Sequence, residues 1–317
     1  MPVDVVRWVV RGKDAGSVHS GAMDATEDAA SRRPARHDDM AIRAEAGSGV
    51  FVTIGDLLLD VIVRLGQPLA EGADADAVTL LGPGGQAANV AAWVAELGGP
   101  GRDGRVRFVG TLADDEAGGI AARGLERYGV EVRGPVVAGR TGTVVSLVAV
   151  DGSRTMASDR GVSPELKAGE LEPDWFRGCS HLHLPGYSLL REPIGAASLH
   201  AAGLAPRVSV DLSSWSAIRD FGPARFRERL EALRPAVVFA NEEEERILGG
   251  PLDGCTWVLK RGALGARFGD VELPAVPAEV VDTTGAGDAL AAGYLVGGPE
   301  LALAAAARCV AKLGSMP

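Results

Sequence analysis

From Val50 onward the chain alternates between two hydrophobic patterns. The first is a short run of β-branched and aromatic residues closed by glycine. Val50-Phe51-Val52-Thr53-Ile54-Gly55 is the first such run and predicts a buried strand. Similar runs at Val106–Gly110, Thr143–Val150, His181–Leu184, Val208–Leu212, Val237–Ala240 and Trp257–Lys260 predict further strands. The second pattern is longer and has helical spacing. It covers Ala87–Leu97, Glu116–Tyr128, Phe226–Leu233 and Leu301–Leu313; Gly98-Gly99-Pro100 stops the first of these and Gly129 the second. Strands alternating with helices imply an α/β fold with a mostly parallel sheet covered on both faces. Gly82 to Gly85 is expected to be a turn, and Asp151-Gly152 a hairpin-type turn leading into Arg154-Thr155-Met156. Two pieces, about 57–80 and about 140–156, are short, alternating and bounded by turns. They are expected to pair as a small separate sheet, a lid beside the main one.

Residues 1–48 break this pattern. They are rich in Ala, Arg, Asp and Ser, with seven basic side chains against eight acidic and no sustained period. A disordered extension is expected there, with Met40 as a candidate later start and a single domain over 49–317.

Composition narrows the function. A formal net charge of −10 argues against a nucleic-acid partner, which needs a basic footprint. It does not argue against a nucleotide, whose phosphates are held locally by backbone amides. No apolar run reaches the ~18 residues needed to span a membrane, and the opening segment lacks the layout of a signal peptide. Cys179, Cys255 and Cys309 are widely spaced and predict reduced thiols in a cytoplasmic protein. His181 and His183 follow Cys179 on an alternating strand and do not form a metal-ligand pattern.

The chemistry concentrates in Asp282-Thr283-Thr284-Gly285-Ala286-Gly287-Asp288. A strand-like approach, Ala278 to Val281, runs into this loop, and a small-residue helix, Ala289 to Leu295, leaves it. Gly285 and Gly287 free the backbone to turn its amides outward. At a helix N-terminus such amides form an anion hole for phosphate. Asp288 at its mouth is a poor phosphate ligand, because like charges repel. It is well placed to accept the proton of a hydroxyl as a phosphoryl group arrives. Earlier in the chain, Gly84 and Gly85 let the backbone approach a polyol, and Asn89 offers it a donor and an acceptor. The spacing around Gly82 and Gly84 is not that of a dinucleotide-binding loop. Asp60 interrupts an apolar stretch, where a carboxylate is costly to bury without a role. Asn241-Glu242-Glu243-Glu244 is, by itself, an ordinary solvated helix start.

Together these segments resemble the ribokinase-like (PfkB) carbohydrate kinases. Asp282–Asp288 is similar to that family's D-T-x-G-A-G-D signature, and Gly84-Gly85-Gln86-Ala87-Ala88-Asn89-Val90-Ala91 with Leu97-Gly98 to its G-G-x-x-x-N-x-A…L-G signature. The resemblance runs from about Val50 to the end of the chain. It implies a ribokinase-like three-layer sandwich with a β lid, and ATP as phosphoryl donor to a sugar hydroxyl. Asp288 would be the base, with the amides of Gly285, Ala286 and Gly287 as the hole. It implies that Asp60 grips substrate hydroxyls alongside Gly84, Gly85 and Asn89, with Asp56 a weaker candidate. Asn241 and Glu244 would order Mg²⁺ through water. Lys260, Gly262 and Gly265 would lie by the nucleotide, and Asp211 would contact ATP or substrate. Tyr187 and Arg160 fall where members vary with substrate. Asp282 and Thr284 would flank a monovalent cation such as K⁺. A homodimer through the lid is also implied. Leu58 and Gln86 stand where ribokinases proper usually carry Asn and Lys, which weakens ribose as the acceptor. A nucleoside of the adenosine or pseudouridine type is the rival acceptor. A non-catalytic, sugar-binding regulatory protein is the rival class, and the intact Asp288 speaks against it.

Overall fold

The computed structural model describes residues 49–98, 105–151 and 153–317. Segment 1–48 and Gly152 of the expected hairpin turn lie outside the described residues.

The first half of the chain holds β1 (Val50–Ile54), β2 (Leu58–Leu65), β3 (Ala77–Gly84), α1 (Gln86–Glu96), β4 (Arg105–Val109), β5 (Leu112–Ala113), α2 (Glu116–Glu126), β6 (Val130–Arg133) and β7 (Val136–Val137). Next come β8 (Thr141–Val148), β9 (Arg154–Gly161), β10 (Cys179–Pro185), α3 (Ile194–Ala202), β11 (Val208–Asp211), α4 (Trp215–Phe221) and α5 (Pro223–Leu233). The rest is β12 (Val237–Asn241), α6 (Glu242–Leu248), β13 (Thr256–Lys260), β14 (Ala266–Phe268), β15 (Val271–Leu273), α7 (Ala286–Gly297) and α8 (Pro299–Val310).

Nine strands, in the order β15-β14-β13-β12-β11-β10-β1-β4-β6, form the central sheet among the described residues. From β13 to β6 every pairing is parallel; β14 and β15 add an antiparallel edge. Strand residues alternate between two cores, as a period of two requires. Phe51 packs with α1, α7 and α8 on one face, while Val50, Val52 and Ile54 pack with α3, α4 and α5 on the other. The strand order reverses at β1, between β10 and β4, and such a switch point opens a crevice at the carboxyl ends of the strands.

The second sheet, β3-β2-β8-β9, is the expected lid. Its central pair β2/β8 is parallel and its outer pairs are antiparallel. Asp60, Ile62, Val144, Ser146 and Val148 are buried on the face toward the body; Leu59, Val61, Val63, Val145 and Leu147 stay half-buried on the other. The lid strands are longer than expected, ending at Gly84 and Gly161.

Three local expectations fail. Gly82 to Gly84 is strand, because Gly82, Pro83 and Gly84 pair with Asp60, Leu59 and Leu58 of β2. Ala278 to Val281 forms no strand; the chain there is tied down instead by the amides of Val281 and Asp282, both bonded to the Val310 carbonyl. That double bond also marks where α8 stops, at Val310 rather than Leu313. The strands β14 and β15, three residues each, are too short to stand out in the hydrophobic pattern.

Candidate active site

The site is built from the carboxyl ends of β1, β10, β11, β12 and β13, the N-termini of α1 and α7, and the inner face of the lid. Asp288 lies in the first turn of α7, which Gly285 caps at φ 77°. A first-turn amide has no acceptor within its own helix; here the Ala286 amide makes a long 3.4 Å bond to the Thr283 carbonyl just before it. Asp288 is buried, and its Oδ2 accepts a 2.7 Å hydrogen bond from Asn89 Nδ2. Ser315 Oγ donates to Asn89 Oδ1 at 3.0 Å, and the Ser315 carbonyl is held by Trp93 Nε1 at 2.8 Å. Burial pushes the Asp288 carboxyl up to about 7, with Asp211 adding to the rise and Asn89, Lys260 and Gln86 opposing it. A base poised there is half-deprotonated at neutral pH.

Asp60 shares the pocket. Burial raises it to about 7 as well; Asp288 and Asp282 add to the rise and Ser315 opposes it. Its Oδ1 is buried with no hydrogen-bond partner in the described structure. A buried carboxylate oxygen of this kind is an acceptor waiting for a donor. Gly84 makes room for that carboxyl, since a Cβ at Gly84 would fall on it. Gly85, at φ 98°, leaves no room for a Cβ against the Asp56 carbonyl. The paired glycines therefore let the chain close on the Asp60 carboxyl and on the Asp56 backbone.

At the ends of β13 and β11, Lys260 Nζ donates to Asp211 Oδ2 at 2.7 Å. Asp211 is fully buried, and its Oδ1 accepts from Ser213 N at 3.0 Å, so it serves as the counter-ion of Lys260. Burial opposes the Lys260 charge, but Asp211, Glu244 and Asp288 outweigh it and raise its pKa. Asn241 and Glu244 form a capping box at the start of α6. Asn241 Oδ1 accepts from Glu244 N at 2.9 Å and Glu244 Oε2 from Asn241 N at 2.8 Å. Glu244 is buried beside Lys260 and Asp211, and the capping box uses its Oε2, leaving Oε1 as a hard oxygen donor. That donor chemistry fits water-mediated Mg²⁺. Among the described residues no three acidic or soft side chains group to hold a metal directly. Gly262 (φ 55°) and Gly265 (φ 100°) shape the turn that carries the chain from β13 into β14.

Arg160 and Tyr187 come together beside Asp56. The Arg160 guanidinium pairs with Asp56 and stacks on the Tyr187 ring at 4.1 Å. His181 and His183, by contrast, are core residues sharing the Ser209 hydroxyl at 2.8 and 2.9 Å.

The expected K⁺ site is already filled. Asp282 Oδ1 accepts from Thr284 N at 2.9 Å and Thr284 Oγ1 at 2.6 Å, and Oδ2 accepts from Gly314 N at 3.0 Å. Arg154 of the lid donates to Thr284 Oγ1 at 2.8 Å. These donors do not fit a bound monovalent ion.

Four further residues reach this cluster that the sequence did not single out as site residues. Gln86 accepts from Ser213 Oγ at 2.5 Å and faces Asp288. Ser213 holds a left-handed φ of 69° that only coordinates reveal. Ser315 and Arg154 reach the site from the far ends of α8 and the lid.

Comparison with known proteins agrees with this geometry. The family model for pfkB family carbohydrate kinases matches residues 51–316. The chain is 31% identical over 260 residues to an ATP-dependent ribose-1-phosphate kinase of Halopiger xanaduensis, covering 77% of this chain and 83% of that one. It is 30% identical over 278 residues to fructokinase-1 of Zea mays, covering 79% and 83%. The crystal structure of adenosine kinase from Sinorhizobium meliloti superposes with a TM-score of 0.72 at 25% identity, covering 86% of this chain and 96% of that one.

Proposed function

The chain belongs to the pfkB family of carbohydrate kinases, and on that premise we propose that it moves the γ-phosphate of ATP to a hydroxyl of a sugar, with Asp288 as general base. The observation that carries this reading is the pairing of Asp288 with Asn89 in a pocket where Asp60 has an orphan oxygen. Asp60 and Asn89 hold neighbouring hydroxyls, and Asp288 takes the proton of the one that attacks. The amides of Gly285, Ala286 and Gly287, the second of which is held at long range (3.4 Å) by the Thr283 carbonyl, stabilise charge on the transferring group, aided by Lys260. Asn241 and Glu244 would hold Mg²⁺ through water, and the ion would neutralise phosphate charge. The lid keeps out water, which would otherwise compete as acceptor.

A sugar is favoured over a nucleoside by the relatives at 30–31% identity, which are named as a ribose-1-phosphate kinase and a fructokinase. The half-buried apolar residues Val61, Val63, Val145 and Leu147 on the outer lid face suit a second copy of the chain. Three free cysteines agree with a cytoplasmic setting, and no helix among the described residues is long and apolar enough to cross a membrane.

The test is ATP consumption against a panel of free sugars, sugar phosphates and nucleosides, with Asp288→Asn as control. Sugar-stimulated turnover that the substitution abolishes is expected. No stimulation by any acceptor, or full activity in the variant, overturns the mechanism. Stimulation by nucleosides alone overturns the choice of sugar. Light scattering of Val61→Asp/Val145→Asp, expected to be monomeric, tests the dimer.

A further inference from the structure

We propose that Arg154 is a built-in cation for the Asp282–Thr284 loop, so that the anion hole of this protein works without a monovalent metal ion and is braced only when the lid is down. The proposal rests on the reading of Asp282–Asp288 as a phosphate-binding loop.

Asp282 is 1% exposed, so its carboxylate has almost no water to solvate it. A buried carboxylate is tolerated when it is hydrogen-bonded and has a counter-charge. Its hydrogen bonds come from Thr284 and Gly314, all backbone or hydroxyl donors and all neutral. The positive charge beside it is Arg154, whose Nη1 stands 3.9 Å from Asp282 Oδ1. The same Nη1 donates to Thr284 Oγ1 at 2.8 Å. Thr284 already gives its hydroxyl proton to Asp282, so that oxygen acts as a relay between guanidinium and carboxylate. The Thr284 carbonyl is engaged too, by Cys309 Sγ at 3.3 Å. Each oxygen that a metal ion could take from these two side chains is thus satisfied by a donor of the chain itself. A guanidinium keeps its charge at any physiological pH, so the counter-ion is permanent.

Arg154 opens the lid strand β9 and pairs with Val148 of β8, which pairs in turn with Arg64 of β2. By the two-residue period of the strands it lies on the same face of the lid as Asp60 and Ile62. Its partner Thr284 directly precedes Gly285, the cap of α7. The contact therefore ties the lid's inner face to the residue before the anion hole, across 130 positions of sequence. Lid closure and charge compensation of the loop become one event. A freely diffusing ion would not couple the two.

The test is calorimetric titration of a non-hydrolysable ATP analogue with Mg²⁺, at constant ionic strength, in potassium chloride or tetramethylammonium chloride. The wild-type affinity is expected to agree within about twofold between the salts. Arg154→Gln is expected to bind about tenfold more weakly in tetramethylammonium. Potassium should restore part of that loss, because the vacated space beside Asp282 admits an ion. Arg154→Lys keeps a charge and should stay indifferent to the salt. The same comparison by thermal melting without nucleotide gives a second readout: potassium should raise the melting temperature of Arg154→Gln and leave that of the wild type unchanged. Wild-type binding that tightens several-fold in potassium overturns the proposal. So does an Arg154→Gln protein with unchanged affinity and no response to potassium. If Arg154→Gln does not fold, a potassium-dependent Arg154→Lys protein overturns it equally. Failure of the wild type to bind the analogue in either salt is a different result, because it defeats the kinase reading itself.

Discussion

Asn89 Nδ2 donates to Asp288 Oδ2 across 2.7 Å, joining the first turns of α1 and α7, which lie 199 residues apart. This bond gives the Asp288 carboxyl a fixed orientation, and it acts against burial, which would otherwise hold the proton on the carboxyl. Ser315 fixes the other end of the Asn89 amide, so the donor nitrogen must point at Asp288. The two family signatures are thus two halves of one hydrogen-bonded unit.

Replacing Asp288 by Asn should remove the base without removing the bond, because an amide oxygen still accepts from Asn89. Turnover should fall by about 10²–10⁴, with affinity for an ATP analogue little changed. Stability should move the other way. The folded carboxyl titrates at about 7 against 3.8 for the ordinary group, so wild-type stability from this site is present below pH 3.8 and lost as pH rises through 7. The variant has no such loss. Urea unfolding should find Asp288→Asn close to wild type near pH 4 and more stable at pH 8, by about 4 kcal/mol.

Asn89→Ala leaves Asp288 facing burial without its donor. The acid limb of the pH–rate profile, set near 7 in the wild type, should move to higher pH. At pH 7 the rate should fall by about tenfold and recover in part at pH 9. An unshifted limb would mean that Asn89 serves substrate binding alone, which would appear as a raised KM at all pH values.

How much of this was legible in the sequence depends on whether a residue acts through its neighbours in the chain or through distant ones. Asp288 was legible because the glycines that expose it are its neighbours. Asn89 was legible as a polar residue of the site but not as the partner of Asp288, since no local pattern connects them. Gly84 and Gly85 read as places where a polyol approaches the backbone, whereas the groups they meet in the structure are the Asp60 carboxyl and the Asp56 carbonyl of the chain. Asp211 stood at a strand end, and only the fold shows Lys260 covering it. The strand alternation gave the parallel sheet and the lid. It did not give β14 and β15, because three-residue strands carry too few positions to show a period.

Lys260 and Asp211 can be separated by a double substitution. Lys260→Met alone strands a fully buried carboxylate and should cost about 3–5 kcal/mol in unfolding experiments. Adding Asp211→Leu removes the stranded charge and should return most of that stability. Activity should stay low in both, because Lys260 faces Glu244 and Asp288 as well as Asp211. Recovery of stability with recovery of turnover would assign Lys260 a purely structural role.

The two glycines of the hole make opposite predictions, and the contrast separates fold from function. Gly285 adopts φ 77°, and a Cβ there would come within 2.6 Å of the Ser315 Cβ. Gly285→Ala should therefore cost at least 1–2 kcal/mol of about the usual left-handed penalty, and it should push Ser315 off Asn89. Gly287 is different. It lies inside α7 with ordinary helical backbone, and a Cβ there would meet nothing nearer than Lys260 Nζ at 3.4 Å. Alanine is the better helix former by roughly 1 kcal/mol. By folding energetics alone Gly287→Ala should raise the melting temperature. Its methyl group would, however, stand between the first-turn amides and Lys260, where the phosphoryl group must pass. A more stable protein with a raised KM for ATP and a reduced kcat is the expected outcome. A more stable protein with unchanged kinetics would show that the phosphate does not approach along this turn, and the anion hole would have to be placed elsewhere.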